Sequence, residues 1–347
     1  MLPDYSRQLL LKEVGARGQA ALARSRVLIV GAGGLGSPVL QYLAGAGVGV
    51  LGVIDADILH ASNLHRQPIY ALSQVGESKA ALAAAAVARL NPGVRVETHA
   101  ERFSADNALA LVRAHDVVVD CSDNFRAKFL INDAAVLAER PAVFASVYQY
   151  EGQLQVYKPA STHACLRCLW PEATADGVVG NCAQAGVLGP VPGAFGCMQA
   201  LLTLKILLAM KGQLEGELLL LDFTGFTSTK LKAARRAECA APRCALIHGL
   251  APEETGIEIA LDSLEAAAQR GYQLIDVRTP EEFAAHPTIA RHIPMAPLLA
   301  EPQGLAPGST YLLICASGKR SLSAARELRR RGLRVRSLAG GLQALER

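Results

Sequence analysis

The sequence predicts an α/β protein of two domains, the first doubly wound around a mostly parallel sheet with an antiparallel extension, the second smaller. Three observations carry this expectation. A chain of 347 residues exceeds the size at which one hydrophobic core keeps growing. Apolar runs that read as buried strands alternate with helical segments from residue 26 to 147, and the alternation resumes from 273 to 338. Between them, HGLAPEETG at 248–256 has the Pro, Gly and acidic content of a linker. The domains are therefore placed at 1–248 and 257–347, with a linker at 249–256.

Composition narrows the class. Apolar residues make up 51% of the chain, enough for substantial cores, while charged residues at 19% argue against disorder. A net charge of +4 gives no reason to expect direct nucleic-acid binding. The one dense basic stretch, RELRRRGLRVR at 326–336, reads as the wet face of a helix running into a strand, with an RNA or acidic-protein contact as the alternative. MLPDYSRQLLLKE carries charges where a signal peptide needs an apolar core, and no run suggests about 18 uninterrupted lipid-compatible residues. The expectation is a cytoplasmic protein without a membrane segment. In a reducing compartment its eight cysteines read as ligands, nucleophiles or small core residues before they read as disulfides.

The elements follow in order. Residues 18–25 end a short helix, and RVLIVGAGGLG at 26–36 is a buried strand feeding a glycine turn. SPVLQYLAGAGV is helical in period up to Gly45 and Gly47, and VGVLGVID is a second strand ending in Asp55. The Ala-rich run 78–90 is a strong helix former stopped by Asn91-Pro92. A strand at about 94–98, a helix at 104–114, the strand HDVVVDCSDN at 115–124, a helix at 125–139 and a strand at 142–147 continue the alternation. EGQLQVYKP fits an antiparallel extension, 196–211 an apolar helix and ELLLLDF at 217–223 a strand. Beyond the linker come strands at 273–278, 310–316 and 334–338, with a helix at 321–331.

The motifs carry the chemistry. GAGGLG puts Gly31, Gly33, Gly34 and Gly36 between a strand and a helix, where the backbone turns tightly and free N–H groups meet phosphate. Asp55 closes the next strand, where a carboxylate accepts ribose hydroxyls. This fingerprint alone does not separate NAD from ATP. The following DADILHASNLHRQ does: it sets Asp57, Asn63, Arg66 and Gln67 at the edge where ligands sit, and Lys79 supplies a second cation. Two cations suit displacement at the α-phosphate of ATP, which spreads negative charge, and not hydride transfer. Asp123 is a candidate Mg²⁺ ligand.

With SRQ at 6–8, GAGGLG at 31–36, DAD at 55–57, SNLHRQ at 62–67, VGESK at 75–79 and CSDN at 121–124, residues 1–248 resemble the adenylating enzymes of the E1, MoeB and ThiF superfamily. The resemblance implies a Rossmann-like adenylating domain whose ATP site is lined by Gly34, Asp55, Ser62, Asn63, Leu64, His65, Arg66, Lys79, Asp123 and Asn124. It also implies a homodimer in which Arg7 enters the partner's site; by itself Arg7 is an exposed charge before LLL.

The cysteines divide by context. Cys165 and Cys168 form CLRC, whose spacing lets two thiolates meet one tetrahedral Zn²⁺, and Cys239 and Cys244 complete four soft ligands. The set resembles the family's structural zinc site, with the departure that CAAPRC is two residues longer than the usual CxxC. Reduced core and loop cysteines are the alternative. Cys182, in VVGNCAQAGVLG, is a small residue beside a helix start, which the resemblance marks as the crossover cysteine able to react with the activated carrier. Cys121 and Cys197 read as structural.

Cys315 ends the strand YLLIC and opens CASGKRS before a helix, where loop N–H groups, the helix N-terminus, Lys319 and Arg320 would favour a thiolate or persulfide. With LIDVRTPEEF at 274–283, HIP at 292–294 and AGG at 339–341, residues 256–347 resemble a rhodanese domain, in which Asp276 and Arg278 would brace the active loop. Arg291 and Met295 stand where glycines usually flank HIP, and no tryptophan follows AGG.

Together the resemblances imply ATP-dependent adenylation of the C-terminal Gly-Gly of a ubiquitin-like sulfur-carrier protein. Sulfur transfer from Cys315 would follow, with a cysteine desulfurase or thiosulfate as donor, for molybdopterin, thiamine or tRNA thiolation. Three rivals remain: a C-terminal domain that only docks a donor, an NAD(P) oxidoreductase, and a scaffold that binds the carrier without turnover.

Overall fold

The computed structural model describes residues 3–159, 164–171, 186–239, 244, 246–247, 250, 257–306 and 308–345. They fall into two compact units, the first reaching Leu250 and the second starting at Ile257. Cys182 and most of the linker lie outside the described residues.

In the first unit, α1 (Ser6–Leu9) and α2 (Gly15–Arg24) precede β1 (Arg26–Val30), α3 (Gly36–Gly45) and β2 (Val50–Ile54). Then come α4 (Lys79–Leu90), β3 (Arg95–His99), α5 (Ala105–Arg113), β4 (Val117–Asp120), α6 (Phe125–Ala138) and β5 (Ala142–Tyr148). The remaining elements are β6 (Glu151–Tyr157), α7 (Leu166–Leu169), α8 (Pro190–Leu207), β7 (Glu217–Asp222) and β8 (Thr227–Lys232). They form one eight-stranded sheet of order β3-β2-β1-β4-β5-β6-β7-β8. The first five strands are parallel and the last three antiparallel.

The core explains why β1 reads as a continuous apolar run. Val27 and Ile29 point into one buried cluster with Leu40, Leu43, Val87 and Phe195, while Leu28 and Val30 point into a second with Val112, Phe129 and Ile131. Strands covered on both faces need apolar residues at every position, not alternation. Chain order reverses between β1 and β4, so the loops after these two strands meet at the switch point where open α/β sheets take ligands.

Three sequence expectations need correction. α8 begins at Pro190, six residues before the predicted start. The GPVPG punctuation that hid this is compatible with a helix start, because first-turn N–H groups have no intrahelical acceptor. α8 is also long and apolar enough, by length and composition, to span a membrane, against the expectation of no such run. Here it packs on α3 and β5, with Gln199 and Thr203 fully buried. β8 was not foreseen: TSTKLK is exposed along its length and joins the sheet through backbone pairing to β7.

The second unit contains β9 (Glu258–Ile259), α9 (Leu264–Gln269), β10 (Gln273–Asp276), α10 (Pro280–Ala285), β11 (Arg291–His292) and α11 (Met295–Ala300). It ends with β12 (Thr310–Ile314), α12 (Lys319–Arg330) and β13 (Arg334–Leu338). The five strands pair in parallel in the order β11-β10-β12-β13-β9. The basic stretch lies on α12 and β13, as a helix running into a strand.

Candidate active sites

At the end of β1, Gly31 has φ +99°, and a Cβ on it would lie 2.6 Å from the Cys121 carbonyl oxygen. Gly36 is equally constrained, since its Cβ would overlap the Gly31 carbonyl. These two glycines therefore close the turn against the loop after β4. A Cβ on Gly33 would meet only the Gln67 amide, at 3.6 Å, so the backbone there stays approachable. A Cβ on Gly34 would touch Pro192 of α8 at 3.3 Å.

Asp55 fastens the turn. One carboxylate oxygen accepts from Ala32 N at 2.8 Å and the other from Asp57 N at 2.8 Å. Burial pushes its pKa up, and the two backbone donors oppose that shift. The Tyr70 hydroxyl donates to the Ala32 carbonyl at 2.8 Å, so the turn is held from a second side.

The SNLHRQ segment is a short turn over the same edge. Asn63 Oδ1 accepts from His60 N at 3.1 Å, and Arg66 donates to the Ser62 carbonyl at 3.0 Å. Ser62 and His65 are exposed, Leu64 and Arg66 half-buried. Gln67 is 2% exposed, and its Oε1 meets no donor among the described residues. Lys79, at the start of α4, reaches Asp57 at 3.0 Å with its side chain 7% exposed against 73% for the aspartate.

Asp123 is exposed in the loop after β4, whose Cys121 and Ser122 lie against Gly31. Asn124, predicted to line the same site, caps α6 by accepting from Ala127 N at 2.8 Å. Arg7 is not brought to its own chain's glycine turn. It sits exposed on α1, whose Gln8 bonds the Ala46 carbonyl at the far end of α3. A ten-residue helix is about 15 Å long, which separates the two ends.

The cysteine cluster lies elsewhere in this unit. Cys165, Cys168 and Cys239 are buried, and Cys165 Sγ lies 3.9 Å from each of the other two sulfurs. Zinc–thiolate bonds of about 2.3 Å in a tetrahedron set sulfurs about 3.8 Å apart, so this spacing fits zinc. The CLRC turn is pinned to α6, where Arg167 grips Asp133 through two 2.6 Å bonds and Leu166 N donates to Asn132 at 2.8 Å. The fourth predicted ligand behaves differently: Cys244 is bonded to Cys239, whose Cα is 3.9 Å away, and does not stand as an independent corner.

In the second unit Cys315 follows β12 and is fully buried. Ser321 N donates to its Sγ at 3.4 Å, and Ser321 Oγ lies at 3.4 Å. The AGG turn buttresses this loop: Leu342 N donates to the Cys315 carbonyl at 2.9 Å and Gln343 N to Ala316 at 3.0 Å. A Cβ on Gly341 would overlap both the Cys315 carbonyl and Gly318 N, so this contact requires glycine.

The charges around Cys315 are organised in two ion pairs. Arg320 is held by Glu282 in two 2.6 Å bonds, and its charge also acts on Cys315. Asp276 and Arg278 pair with each other, and the free ends of the pair take Thr288 at 3.1 Å and the His286 carbonyl at 2.7 Å. Their bonds thus fix the 286–288 segment, and the loop that carries Cys315 is tied by Glu282 instead. Glu282 also closes a capping box with Thr279, a signal present in TPEE.

The paired guanidinium of Arg320 holds Glu282 at about 2, down from 4.5. A depressed carboxylate contributes stability above its unfolded value, and that contribution disappears as pH falls through the folded value. The side chain is 40% exposed, so solvent screening keeps the effect small. Thermal unfolding of the full chain should therefore separate wild type from Glu282→Gln at neutral pH, and the gap should narrow between pH 4.5 and about 2. A gap that does not change with pH would contradict the pairing.

A glycine turn at the switch point with two cations beside it, and a second unit built around a cysteine loop, define an adenylyltransferase joined to a sulfurtransferase. Residues 5–241 match the ThiF family and residues 260–347 match the rhodanese-like domain. The chain belongs to the ThiF family and carries a C-terminal rhodanese-like domain.

Among relatives, the sulfur carrier protein adenylyltransferase of Thermus thermophilus is 46% identical, covering 69% of this chain and 89% of that one. The adenylyltransferase and sulfurtransferase MOCS3 of Culex quinquefasciatus is 37% identical, covering 99% of this chain and 86% of that protein. The match to mouse MOCS3, at 49% identity, covers 67% of this chain and 50% of the mouse protein. The crystal structure of E. coli MccB with MccA superposes with a TM-score of 0.60 at 21% identity, over 70% of this chain and 74% of that one, a likeness of fold.

Proposed function

We propose that this enzyme adenylates the C-terminal glycine carboxylate of a ubiquitin-like sulfur-carrier protein and then converts it to a thiocarboxylate with sulfur carried on Cys315. The observation that carries the reading is the meeting of Gly31–Gly36, Asp55, the Arg66 turn, the Lys79–Asp57 pair and the Asp123 loop at one sheet edge, in a chain that also holds the Cys315 loop. The names of the Thermus and mosquito relatives support both halves.

The chemistry follows from the side chains. Asp55 accepts the ribose hydroxyls, and the backbone at Gly33 and Gly34 receives the phosphates. Ser62, Asn63, Leu64 and His65 wall the site. A carrier carboxylate oxygen attacks the α-phosphorus and pyrophosphate leaves; the attacking group is already anionic, so no general base is needed. Arg66 and Lys79 neutralise the charge that spreads over the phosphates, and Arg7 joins them from the partner of a homodimer. Asp123, steadied by Asn124, would hold Mg²⁺, which supplies further charge neutralisation when bound.

In the second half, the outer sulfur of a Cys315 persulfide attacks the acyl carbon and AMP leaves. The carrier is then joined to Cys315 through an acyl disulfide. Cys182 attacks the Cys315 sulfur, releases the thiocarboxylate and leaves a Cys182–Cys315 disulfide for an external thiol to reduce. A cysteine desulfurase or thiosulfate loads Cys315 with sulfur. The product serves molybdopterin, thiamine or tRNA thiolation, in the cytoplasm. The functional domains are 1–248 and 257–347, joined by the linker at 249–256.

Zn²⁺ would be held by the thiolates of Cys165 and Cys168 together with those of Cys239 and Cys244, which an external thiol frees by reducing the bond between them. Its role is structural, stapling the CLRC turn to the end of the sheet. Elemental analysis of reduced protein should find about one zinc per chain, and Cys168→Ser should lose it together with several degrees of thermal stability. Equal metal content in the two proteins would remove zinc from the account. The reaction itself is tested by ATP–pyrophosphate exchange with a carrier ending in Gly-Gly. Exchange that depends on the intact Gly-Gly supports the proposal, and its absence with every carrier from the three pathways counts against it.

A further inference from the structure

Beneath the loop that carries Asp123 lies a buried charge pair that the mechanism above does not use. Asp120, the last residue of β4, is 0% exposed, and Lys128, one turn into α6, is 5% exposed. The Lys128 ammonium bonds Asp120 Oδ2 and also donates to the Ala145 carbonyl of β5 at 2.6 Å. The other Asp120 oxygen accepts from Ser122 N at 3.1 Å and from Ser122 Oγ at 2.6 Å. Gln199 of α8 donates to the Asp120 carbonyl at 2.7 Å. Asp120 thus shapes the first half of the 121–124 loop, while Asn124 fixes its second half through the α6 cap.

The position of the pair matters because of what the loop touches. The Cys121 carbonyl lies against Gly31 so closely that no side chain fits between them, so a shift of the loop is passed directly to the glycine turn. Asp123 sits between the two fastened halves. Buried ion pairs are poor stabilisers, since desolvating both charges offsets much of their attraction, but their geometry is tightly specified. A pair set at the junction of β4, α6 and β5, with Ser122 completing it, is suited to fixing geometry.

We propose that Lys128, acting through Asp120 and Ser122, is a positioning residue for nucleotide activation: it sets the loop that presents Asp123 to the glycine turn. The inference rests on the adenylation reading above. It predicts that Lys128→Met lowers carrier-dependent exchange about 100-fold, the cost of misplacing a reacting group by about 1 Å, with Lys128→Arg restoring most of it. Because the Met variant leaves a buried carboxylate unpaired and can fail to fold, Ser122→Ala provides a second test. It keeps the ion pair and the Ser122 N–H bond, removes only the hydroxyl bond, and should lose about tenfold in exchange while remaining folded, with a melting temperature lower by a few degrees.

The readout that separates positioning from folding is the Mg²⁺ dependence of ATP binding, measured by calorimetry on folded protein without any carrier. Both variants should need severalfold more Mg²⁺ than wild type to reach half-maximal ATP affinity. If Ser122→Ala and folded Lys128→Met match wild type in that titration, the inference is overturned, whatever the exchange assay gives. Normal Mg²⁺-linked ATP binding by wild type, with no exchange from any carrier, would instead overturn the adenylation reading and leave the titration to judge Lys128.

Discussion

Cys315→Ala is expected to abolish thiocarboxylate formation while leaving carrier-dependent ATP–pyrophosphate exchange within about twofold of wild type. The groups assigned to adenylation all belong to the first unit, whereas Cys315 belongs to the second. The substitution removes one sulfur atom from a fully buried position and leaves a small cavity, which costs on the order of 1 kcal/mol. The AGG buttress is untouched, because Leu342 N and Gln343 N bond carbonyls, not the sulfur, and the one backbone bond lost is that from Ser321 N to Sγ. Cys315→Ser is the more demanding control. It keeps a hydrogen-bonding atom near Ser321 but cannot form a persulfide, so it should be as inactive as the alanine variant. Transfer by either variant at more than a few per cent of the wild-type rate would show that sulfur reaches the carrier by another route.

Lys79→Ala should reduce exchange by about 10²–10³-fold, the range found when one preorganised hydrogen-bond donor is withdrawn from a developing anion. The effect should appear mainly as a fall in kcat/KM for ATP. The fold has little reason to suffer, since the partner Asp57 is 73% exposed and is left in water, not stranded in the interior. A melting temperature close to wild type, together with the large loss of exchange, would show that the cation acts on nucleotide chemistry. Lys79→Arg should recover little of the activity, because a planar guanidinium cannot take the narrow path of a side chain that is 7% exposed. If exchange falls only in proportion to the fraction unfolded, the role given to Lys79 is wrong.

The parts of the molecule legible in the sequence are those whose chemistry is local. The glycine turn, Asp55 and the helix that follows sit within one β-α-β stretch, where each residue announces its backbone requirement. The same holds for the Cys315 loop, in which an apolar strand, a glycine and a helix start stand in direct succession. β8 was illegible because an edge strand paired through its backbone needs no apolar alternation, and all of TSTKLK faces solvent. The first turn and a half of α8 was hidden by prolines and glycines that ordinarily mark loops. Gly196 in fact lets α8 cross α3, since a Cβ there would collide with the Leu35 carbonyl.

Side-chain pairings across the fold were the other blind spot. Asp120 and Lys128 are separated by a loop and a helical turn, so nothing in the sequence says that they meet beneath the glycine turn. A carboxylate closing the apolar run VVVD was the available signal: buried charge is costly unless paired, and the next helix carries the only lysine within ten residues of it. Arg320 is legible as a cation near Cys315, but its partner is not: Glu282, placed by the TPEE capping box, also captures the guanidinium. CAAPRC hinted at trouble through its spacing, and the bond between Cys239 and Cys244 is where the departure surfaces.

The most direct test of the central claim is the intact mass of a carrier protein ending in Gly-Gly, after incubation with the full chain, Mg-ATP and thiosulfate. The account predicts the mass increase of one oxygen replaced by sulfur, dependent on ATP, and unmodified or adenylated carrier alone when Cys315→Ala replaces the wild type. A carrier that gains sulfur equally with the variant would contradict the role of Cys315, and one that is never adenylated would contradict the account as a whole.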